Sequence, residues 1–198
     1  GRLGYVLFYD LTYFLDHPLH IFMTWKGGMS FHGGMIGVLI SFYLYSRFKN
    51  VSYLRLLDLS ALGVPVGIFF GRLANFVNGE LYGRITDVPW AVLFPKGGYF
   101  PRHPNQLYEA FFEGFALFVI LNYCFWQTKM SQKPGKLAGL GLFLYASARF
   151  LIEYVREPDA HIGFVWLHFS MGQVLSLPYG VLGLYFYLRS SCGKSNAN

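Results

Sequence analysis

The chain has 198 residues, of which 54% are hydrophobic and 20% aromatic but only 13% charged. This composition lies far from that of water-soluble domains and is typical of a membrane protein. The net charge of +6 comes from lysines and arginines scattered over several loops, whereas a nucleic-acid-binding protein would gather them on one face. Two cysteines, Cys124 and Cys192, are too few for a disulfide framework or a zinc site, and we expect both to be free thiols.

Apolar runs recur along the chain at lengths near the roughly 20 residues that a membrane-spanning helix needs. The chain opens inside such a run, so we expect a fragment that lacks its first helix. We predict an all-α, polytopic integral membrane helix bundle, a single transmembrane domain over 1–198 with about five full spans plus a partial N-terminal one. In chain order, the predicted elements are a half helix over 1–15, an outer loop over 16–31, helices over 33–47 and 56–78, an irregular outer segment over 79–103 that is rich in proline, glycine and aromatic residues, and helices over 104–126, 137–156 and 170–188.

Three segments carry lysine and arginine with almost no acidic residues, namely 47–55, 127–136 and 189–198. They fall on one side of the membrane if each apolar run crosses once, and the positive-inside rule makes that side cytoplasmic. The C-terminus is then cytoplasmic, while all six histidines and nearly all carboxylates fall on the outer side. We therefore expect any chemistry to face outward.

Glycines spaced by four residues mark two of the predicted helices. Gly63, Gly67 and Gly71 form one such row, and Gly33 and Gly37 form another, which predicts close packing against neighbouring helices. Pro65 lies inside the helix of 56–78 and should kink it.

The stretch "GRLANFVNGELYGR", residues 71–84, places strongly polar side chains at the end of an apolar helix. A charge at mid-bilayer costs on the order of 2.5 to 3.5 kcal/mol on insertion scales, so Arg72 is expected to face a bundle interior or a wet cavity. Arg72, Asn75 and Gly79 share one helical face. The alternative is that Arg72 reaches to lipid headgroups as an anchor, but an anchor would not need the polar residues beside it.

A second polar stripe lies in "YASARFLIEYVREPD", where Tyr145, Arg149, Glu153 and Arg156 recur on one side of a predicted helix. Two arginines that flank one glutamate leave a net positive charge, which suggests an anionic ligand. The alternative is an intrahelical pair of Arg149 with Glu153, worth a few tenths of a kcal/mol in water. In "PRHPNQLYEAFFEG", the carboxylates at 109 and 113 are spaced by one helical turn, and we expect them to pair with the outer arginines rather than to act in catalysis.

His32 lies in "GGMSFHGGMIG", at the outer end of the helix of 33–47, with Ser30 as a plausible N-cap. A histidine at a helix start is either a capping or packing residue or a general base, and the residues alone leave both open.

Arginine-rich polar clusters match phosphate oxygens, because the guanidinium fork is planar and always charged. An outward-facing intramembrane arginine cluster therefore points to a phospholipid headgroup. The carboxylate array of a metal-dependent phosphotransferase is not present, so we expect neither a metal nor a cofactor. A non-catalytic lipid or anion transporter that uses the same arginines is the alternative, although transporter folds often show paired halves and this sequence shows no internal repeat.

The signature stretch resembles that of the prolipoprotein diacylglyceryl transferases, and the resemblance extends in order through "MSFHGGMIG", "RHPNQLYE", "YASARFLIEYVREPD" and "SMGQVLSLP" over essentially the whole chain. It implies a catalytic membrane domain that moves a diacylglyceryl group from phosphatidylglycerol to the lipobox cysteine thiol of a prolipoprotein signal peptide. It also implies the bacterial cytoplasmic (inner) membrane, with the active face toward the periplasm and membrane lipids as surroundings.

The resemblance further implies roles for individual residues. Arg72 would bind the phosphatidylglycerol headgroup, Arg149 would be essential, and His32 would be the candidate base. Supporting or substrate-binding roles are implied for Asn75, Glu80, Gly83, Tyr145, Glu153 and Arg156. From the resemblance we expect this sequence to lack the family's first helix and a tyrosine-containing motif of its N-terminal region.

Overall fold

A computed structural model describes residues 1–157, 164–166 and 169–192. The chain divides into two compact units, Gly1–Leu56 and Leu57–Asn198, each of which is described by itself. The described residues are mostly helical, as predicted. The eight helices among them are α1 Arg2–Phe8, α2 Leu11–Asp16, α3 Phe31–Lys49, α4 Tyr53–Val77, α5 Asn105–Glu109, α6 Leu117–Gln127, α7 Lys136–Ile152 and α8 Met171–Cys192.

The first unit contains α1, α2 and α3 with a looped segment before α3. The predicted half helix over 1–15 is interrupted, because Asp10 leaves helical geometry at φ −154° and ψ 49° and begins α2. Short 3₁₀ turns, Pro18–Phe22 and Thr24–Lys26, occupy the predicted outer loop. The Arg2 guanidinium donates to backbone oxygens of this loop, including His20 O at 2.6 Å and Gly28 O at 3.0 Å. The loop is therefore fixed against α1.

The start of α3 is set by a cap and by a close helix contact. Ser30 is the N-cap, as predicted, and its Oγ accepts from Gly33 N–H at 3.2 Å. A Cβ added at Gly33 would lie 2.8 Å from Gly4 Cα, so this glycine permits the α1 and α3 backbones to touch. Gly37 does not make the predicted contact within the described first unit, where an added Cβ would meet no atom within 4 Å. Asn50, in the left-handed conformation at φ 53°, ends the helix.

The second unit is a helical bundle whose core is the buried cluster of Leu117, Leu121 and Leu137. A Cβ added at Gly139 would lie 2.6 Å from Tyr187 N, and one at Gly183 would lie 2.5 Å from Phe143 N, so α7 and α8 cross with backbones in contact. The predicted glycine row on α4 behaves differently. Within the described second unit, an added Cβ at Gly63, Gly67 or Gly71 would meet no atom within 4 Å.

The helix that follows the irregular segment is continuous from Asn105 to Gln127, with a π-helical stretch, Ala110–Ala116, between α5 and α6. Gly114 lies in this stretch, and an added Cβ there would be 2.7 Å from Phe69 Cβ of α4. The π-helical turn and the glycine together bring the two helices close at the level of the polar residues described below.

A buried carboxylate holds the other end of the bundle. Asp58 of α4 is 5% exposed and accepts from Gly135 N–H at 2.7 Å and from Ala138 N–H at 2.8 Å. These donors belong to the first turn of α7, which has no intrahelical acceptors for them. Asp58 thus fixes where α7 begins.

Two helices among the described residues are long and apolar enough to cross a membrane, Tyr53–Val77 and Asn105–Gln127. Phe111, Phe112 and Phe115 of the second of these are each at least 51% exposed. Such a row of exposed aromatic side chains is unfavourable in water and favourable in lipid. The predicted number of spans stays a prediction, as does the single domain over 1–198.

The segment 79–103 is irregular, as predicted, and is held by isolated antiparallel bridges that pair Ile85 and Val92 with Arg102. Strands β1, Phe164–Trp166, and β2, Phe169–Ser170, form a short antiparallel pair before α8. Cys124 is a free thiol, as predicted, whereas the side chain of Cys192 and most of the basic segment 189–198 lie outside the described residues.

Candidate functional site

Glu109 is the centre of a buried ion-pair network in the second unit. It is the last residue of α5 and is fully buried. Its Oε2 lies 3.1 Å from Arg72 Nε, and its Oε1 accepts from Arg149 Nη1 and, at 2.9 Å, from Arg156 Nη1. Arg72 and the pair Arg149 and Arg156, which are more than 75 positions apart in the sequence, therefore converge on one carboxylate.

Glu113 lies one turn further along the same helical run and is also fully buried. Its carboxylate oxygens are 3.7 Å from Arg72 Nη2 and 3.8 Å from Arg149 Nη1, distances of ion pairs rather than hydrogen bonds. The prediction that the carboxylates at 109 and 113 pair with the outer arginines is confirmed. A buried carboxylate needs such partners, because an unpaired buried charge is very costly.

Glu153 joins the network from the end of α7. Its Oε2 lies 3.1 Å from Arg149 Nη2 and 3.9 Å from Arg156 Nε, so the predicted intrahelical pair is present. The predicted helix over 137–156 is nevertheless wrong at its end, because α7 stops at Ile152 and the next three residues form a turn. Arg156 therefore reaches the cluster from an isolated bridge position after this turn rather than from within α7.

Gly83 holds the backbone at Arg156 in place. It is buried and forms an isolated antiparallel bridge with Arg156, while its N–H donates to His103 O at 2.9 Å. A Cβ added at Gly83 would lie 2.6 Å from Val155 O and 2.7 Å from His103 Cβ. Arg84 Nε also donates to Arg156 O at 2.8 Å. The end of the signature stretch thus sets the path of the chain at Arg156.

Arg102 organises the irregular segment and was not identified from the sequence. Its Nε donates to Gly97 O at 2.9 Å, and its Nη1 donates to Gly83 O at 3.2 Å. Its guanidinium also forms an ion pair with Glu157 and lies 4.7 Å from the ring centroid of Tyr82. These contacts depend on loop geometry, for which the sequence carries no periodic signal.

His103 follows Arg102 and belongs to a small aromatic group that also contains Tyr108 of α5 and Trp90. Its Nδ1 lies 3.2 Å from Tyr108 Oη, which accepts from Trp90 Nε1–H at 2.6 Å. Burial lowers the pKa of His103 from its ordinary value, so the neutral imidazole is favoured at neutral pH.

The other predicted site residues have less direct relations to the cluster. Asn75 is half-buried one turn after Arg72, and its backbone oxygen accepts from Glu80 N–H at 2.9 Å. The Glu80 side chain is exposed and lies 3.7 Å from Lys96 Nζ. Tyr145, one turn before Arg149, packs against the buried leucine cluster of α6 and α7.

His32 belongs to the first unit, in the first turn of α3. Its side chain is exposed, and its ring is edge-on to that of Phe31 with centroids 5.7 Å apart. Its role as a base stays a prediction.

The network contains three arginines and three glutamates, so the fully ionised set is formally neutral. This corrects the net positive charge inferred from the helix stripe alone. The two signs are unequally accessible, however. The glutamates at 109 and 113 are 0% exposed, whereas the side chains of Arg72, Arg149 and Arg156 are 20%, 16% and 13% exposed. The accessible edge of the network is made of guanidinium groups, which suits an anion.

The helical bundle and this network define a membrane protein in which buried glutamates hold three partly exposed arginines in one polar site. Comparison with known sequences gives the family. A family model described as prolipoprotein diacylglyceryl transferase matches residues 1–189, and the chain belongs to that family.

Curated relatives carry the name phosphatidylglycerol–prolipoprotein diacylglyceryl transferase. A protein of Wolbachia pipientis from Culex pipiens is 50% identical over 95% of this chain and 72% of its own length. One from Idiomarina loihiensis is 50% identical over 96% of the chain and 70% of its own length. One from Aliivibrio salmonicida is 54% identical over 93% of the chain and 64% of its own length.

Proposed function

We propose that this protein transfers the sn-1,2-diacylglyceryl group of phosphatidylglycerol to the lipobox cysteine thiol of a prolipoprotein signal peptide and releases glycerol phosphate. This is the first step of bacterial lipoprotein maturation. The observation that carries the proposal is the guanidinium edge formed by Arg72, Arg149 and Arg156 around the buried carboxylate of Glu109. The names of relatives that are about half identical to this chain supply the reaction class.

The headgroup phosphate is the part of the lipid that this edge would bind. A phosphodiester carries one negative charge on two free oxygens, which an arginine fork matches bidentately. Because the glutamates already hold the three guanidinium groups, little side-chain entropy remains to be lost when the phosphate binds. Arg72 and Arg149 are the proposed principal ligands, and Arg156 supports them.

The reaction forms one bond and breaks one bond. The cysteine sulfur attacks the glyceryl carbon that carries the phosphate, the carbon–oxygen bond breaks, and its electron pair leaves with the phosphate oxygen. The developing charge on that oxygen is stabilised by arginine N–H groups that are oriented in advance.

The thiol proton must be removed for the attack. A free thiol has a pKa of about 8.5, so only a few per cent is thiolate at neutral pH. We assign the proton to His32, whose imidazole is exposed and lies in the family motif "HGG". Asn75, Glu80, Gly83, Tyr145 and Glu153 are the remaining proposed substrate-binding or supporting positions.

The orientation of the second unit supports an outer-face site. Arg72 near the end of α4, Glu109 near the start of the run Asn105–Gln127, and Arg149 near the end of α7 all lie at one end of the bundle. The basic segment 127–136 lies at the other end of that run, which at 23 residues spans about 34 Å. With the basic end cytoplasmic, the site faces the periplasm of the bacterial inner membrane and the C-terminus is cytoplasmic.

The test is a transfer assay with the full-length protein in vesicles that contain phosphatidylglycerol and a lipobox peptide. The expected result is a peptide whose cysteine carries a diacylglyceryl group, detected by mass spectrometry. Lipid or anion flux without any change in the peptide would instead support a transporter. In the same assay, His32→Gln should lose rate at neutral pH and recover much of it at higher pH, and an unchanged rate would remove His32 from the chemistry.

A further inference from the structure

The first turn of α8 carries a reciprocal capping arrangement. Ser170 N–H donates to Gln173 Oε1 at 3.1 Å, and Gln173 N–H donates to Ser170 Oγ at 3.3 Å. Both side chains are 3% exposed. This is the capping box of a helix N-terminus, and it gives acceptors to the backbone N–H groups of Ser170 and Gln173, which have none within the helix.

One further contact links this cap to the arginine network. Ser170 Oγ–H donates to Glu153 Oε1 at 2.9 Å. An added Cβ at Gly172 would lie 2.6 to 2.8 Å from both carboxylate oxygens of Glu153. The carboxylate therefore lies directly over the first turn of a 22-residue helix, where the helix dipole stabilises negative charge.

Glu153 thereby joins α8 to two of the arginines. Its Oε1 is held by Ser170, and its Oε2 faces Arg149 Nη2 at 3.1 Å and Arg156 Nε at 3.9 Å. We propose that Ser170 and Gly172 are positioning residues that fix the Glu153 carboxylate and through it the directions of the Arg149 and Arg156 guanidinium groups. This inference rests on the proposed function, since it assigns these guanidinium groups to the lipid phosphate.

The need for glycine at 172 is one of space rather than of backbone conformation. Gly172 is the second residue of α8 and is not among the glycines with positive φ, so its backbone does not require glycine. The three described atoms nearest to an added methyl group all belong to the Glu153 carboxylate. The steric conflict with this carboxylate is therefore what excludes a methyl group at 172.

The discriminating variant is Gly172→Ala, with Gly180→Ala as its matched control on the same helix. A Cβ added at Gly180 would make an ordinary contact, 3.7 Å from Ala146 Cβ. Gly172→Ala should raise the KM for phosphatidylglycerol on the order of ten-fold and leave the KM for the lipobox peptide unchanged. Gly180→Ala should change neither constant.

A double-mutant cycle tests whether Gly172 acts through Glu153. In a Glu153→Ala background the carboxylate is gone, so Gly172→Ala should have no further effect. Glu153→Asp combined with Gly172→Ala should recover part of the lost affinity, because the shorter side chain withdraws from the added methyl group. Ser170→Ala should raise the same KM less strongly, and Ser170→Thr should retain the wild-type value.

The full-length wild type is assayed first for the peptide adduct, and each variant is checked for folding by its melting temperature in detergent. The cycle is also scored on the Kd for a soluble short-chain phosphatidylglycerol. An absent adduct overturns the proposed function, and the Kd cycle then decides this inference by itself. Equal effects of Gly172→Ala and Gly180→Ala, or additivity with Glu153→Ala, overturn the inference and leave the proposed function standing. If Gly172→Ala fails to fold, the comparison of Ser170→Ala with Ser170→Thr tests the inference. Equal KM values for phosphatidylglycerol in these two variants would overturn the positioning role.

Discussion

Glu109 offers the sharpest prediction about the network, because one carboxylate with no exposed surface contacts three arginines. Glu109→Gln keeps the size of the side chain and removes its charge. Three guanidinium groups then share two carboxylates. The weakened contacts of Glu109 are those with Arg149, with Arg156 at 2.9 Å and with Arg72 at 3.1 Å. Breaking a buried ion pair from one side typically costs about 3 to 5 kcal/mol, so we expect a melting temperature lowered by on the order of 10 °C.

Glu113→Gln is the matched control, since Glu113 is equally buried on the same helix face. Its ion pairs with Arg72 and Arg149 are longer, at 3.7 and 3.8 Å, and its replacement should cost clearly less. Thermal unfolding in detergent, followed by far-ultraviolet circular dichroism, measures both variants. An equal loss in the two, or a larger loss in Glu113→Gln, would refute the assignment of Glu109 as the centre of the network.

Three further changes test the surrounding structure. Gly83→Ala places a methyl group 2.6 Å from Val155 O and should lower the free energy of unfolding in detergent by about 1 to 3 kcal/mol. The control is Gly37→Ala, which should cost nothing, since an added Cβ there meets no described atom within 4 Å. Equal melting temperatures for the two variants would contradict this. Asp58→Ala leaves two N–H groups of α7 without their acceptor and should cost about 1 to 3 kcal/mol of stability without changing the KM for phosphatidylglycerol; a raised KM would show that Asp58 shapes the site. Because burial lowers the pKa of His103, the unfolded chain binds a proton more readily than the folded protein. The stability present above about pH 6.5 is therefore lost as the pH falls toward the pKa of the folded state. Between pH 7.5 and 5, the melting temperature of His103→Gln should fall less than that of the wild type, and parallel curves for the two proteins would contradict this.

Much of the helical framework follows from sequence patterns, because long apolar runs predict spanning helices independently of tertiary contacts. The bounds of α3, α4 and α8 are predicted to within a few residues, and the N-cap Ser30 is predicted from its position before α3. The pairing of carboxylates with arginines also follows from the sequence, since charges inside apolar helices have few other ways to be satisfied.

The path of the chain after α7 could not be predicted in the same way. A periodic stripe that includes Arg156 suggests a longer helix, but the turn after Ile152 and the bridge to Gly83 decide the position of this arginine. Bridges between distant loop residues leave no periodicity. The link from Ser170 to Glu153 is partly predictable. The S-x-x-Q spacing indicates a capping box, but no sequence pattern indicates that the Glu153 carboxylate lies above it.

The central claim is that the arginine network carries the transfer, and the most direct test compares Arg72→Ala with Arg55→Ala, a change of an arginine near the other end of α4. Purified full-length proteins are incubated with phosphatidylglycerol and a lipobox peptide, and the diacylglyceryl peptide and released glycerol phosphate are both quantified. The wild type and Arg55→Ala should give the two products in equal amounts, and Arg72→Ala should be slower by about a hundred-fold or more. Near-normal transfer by Arg72→Ala would contradict the account.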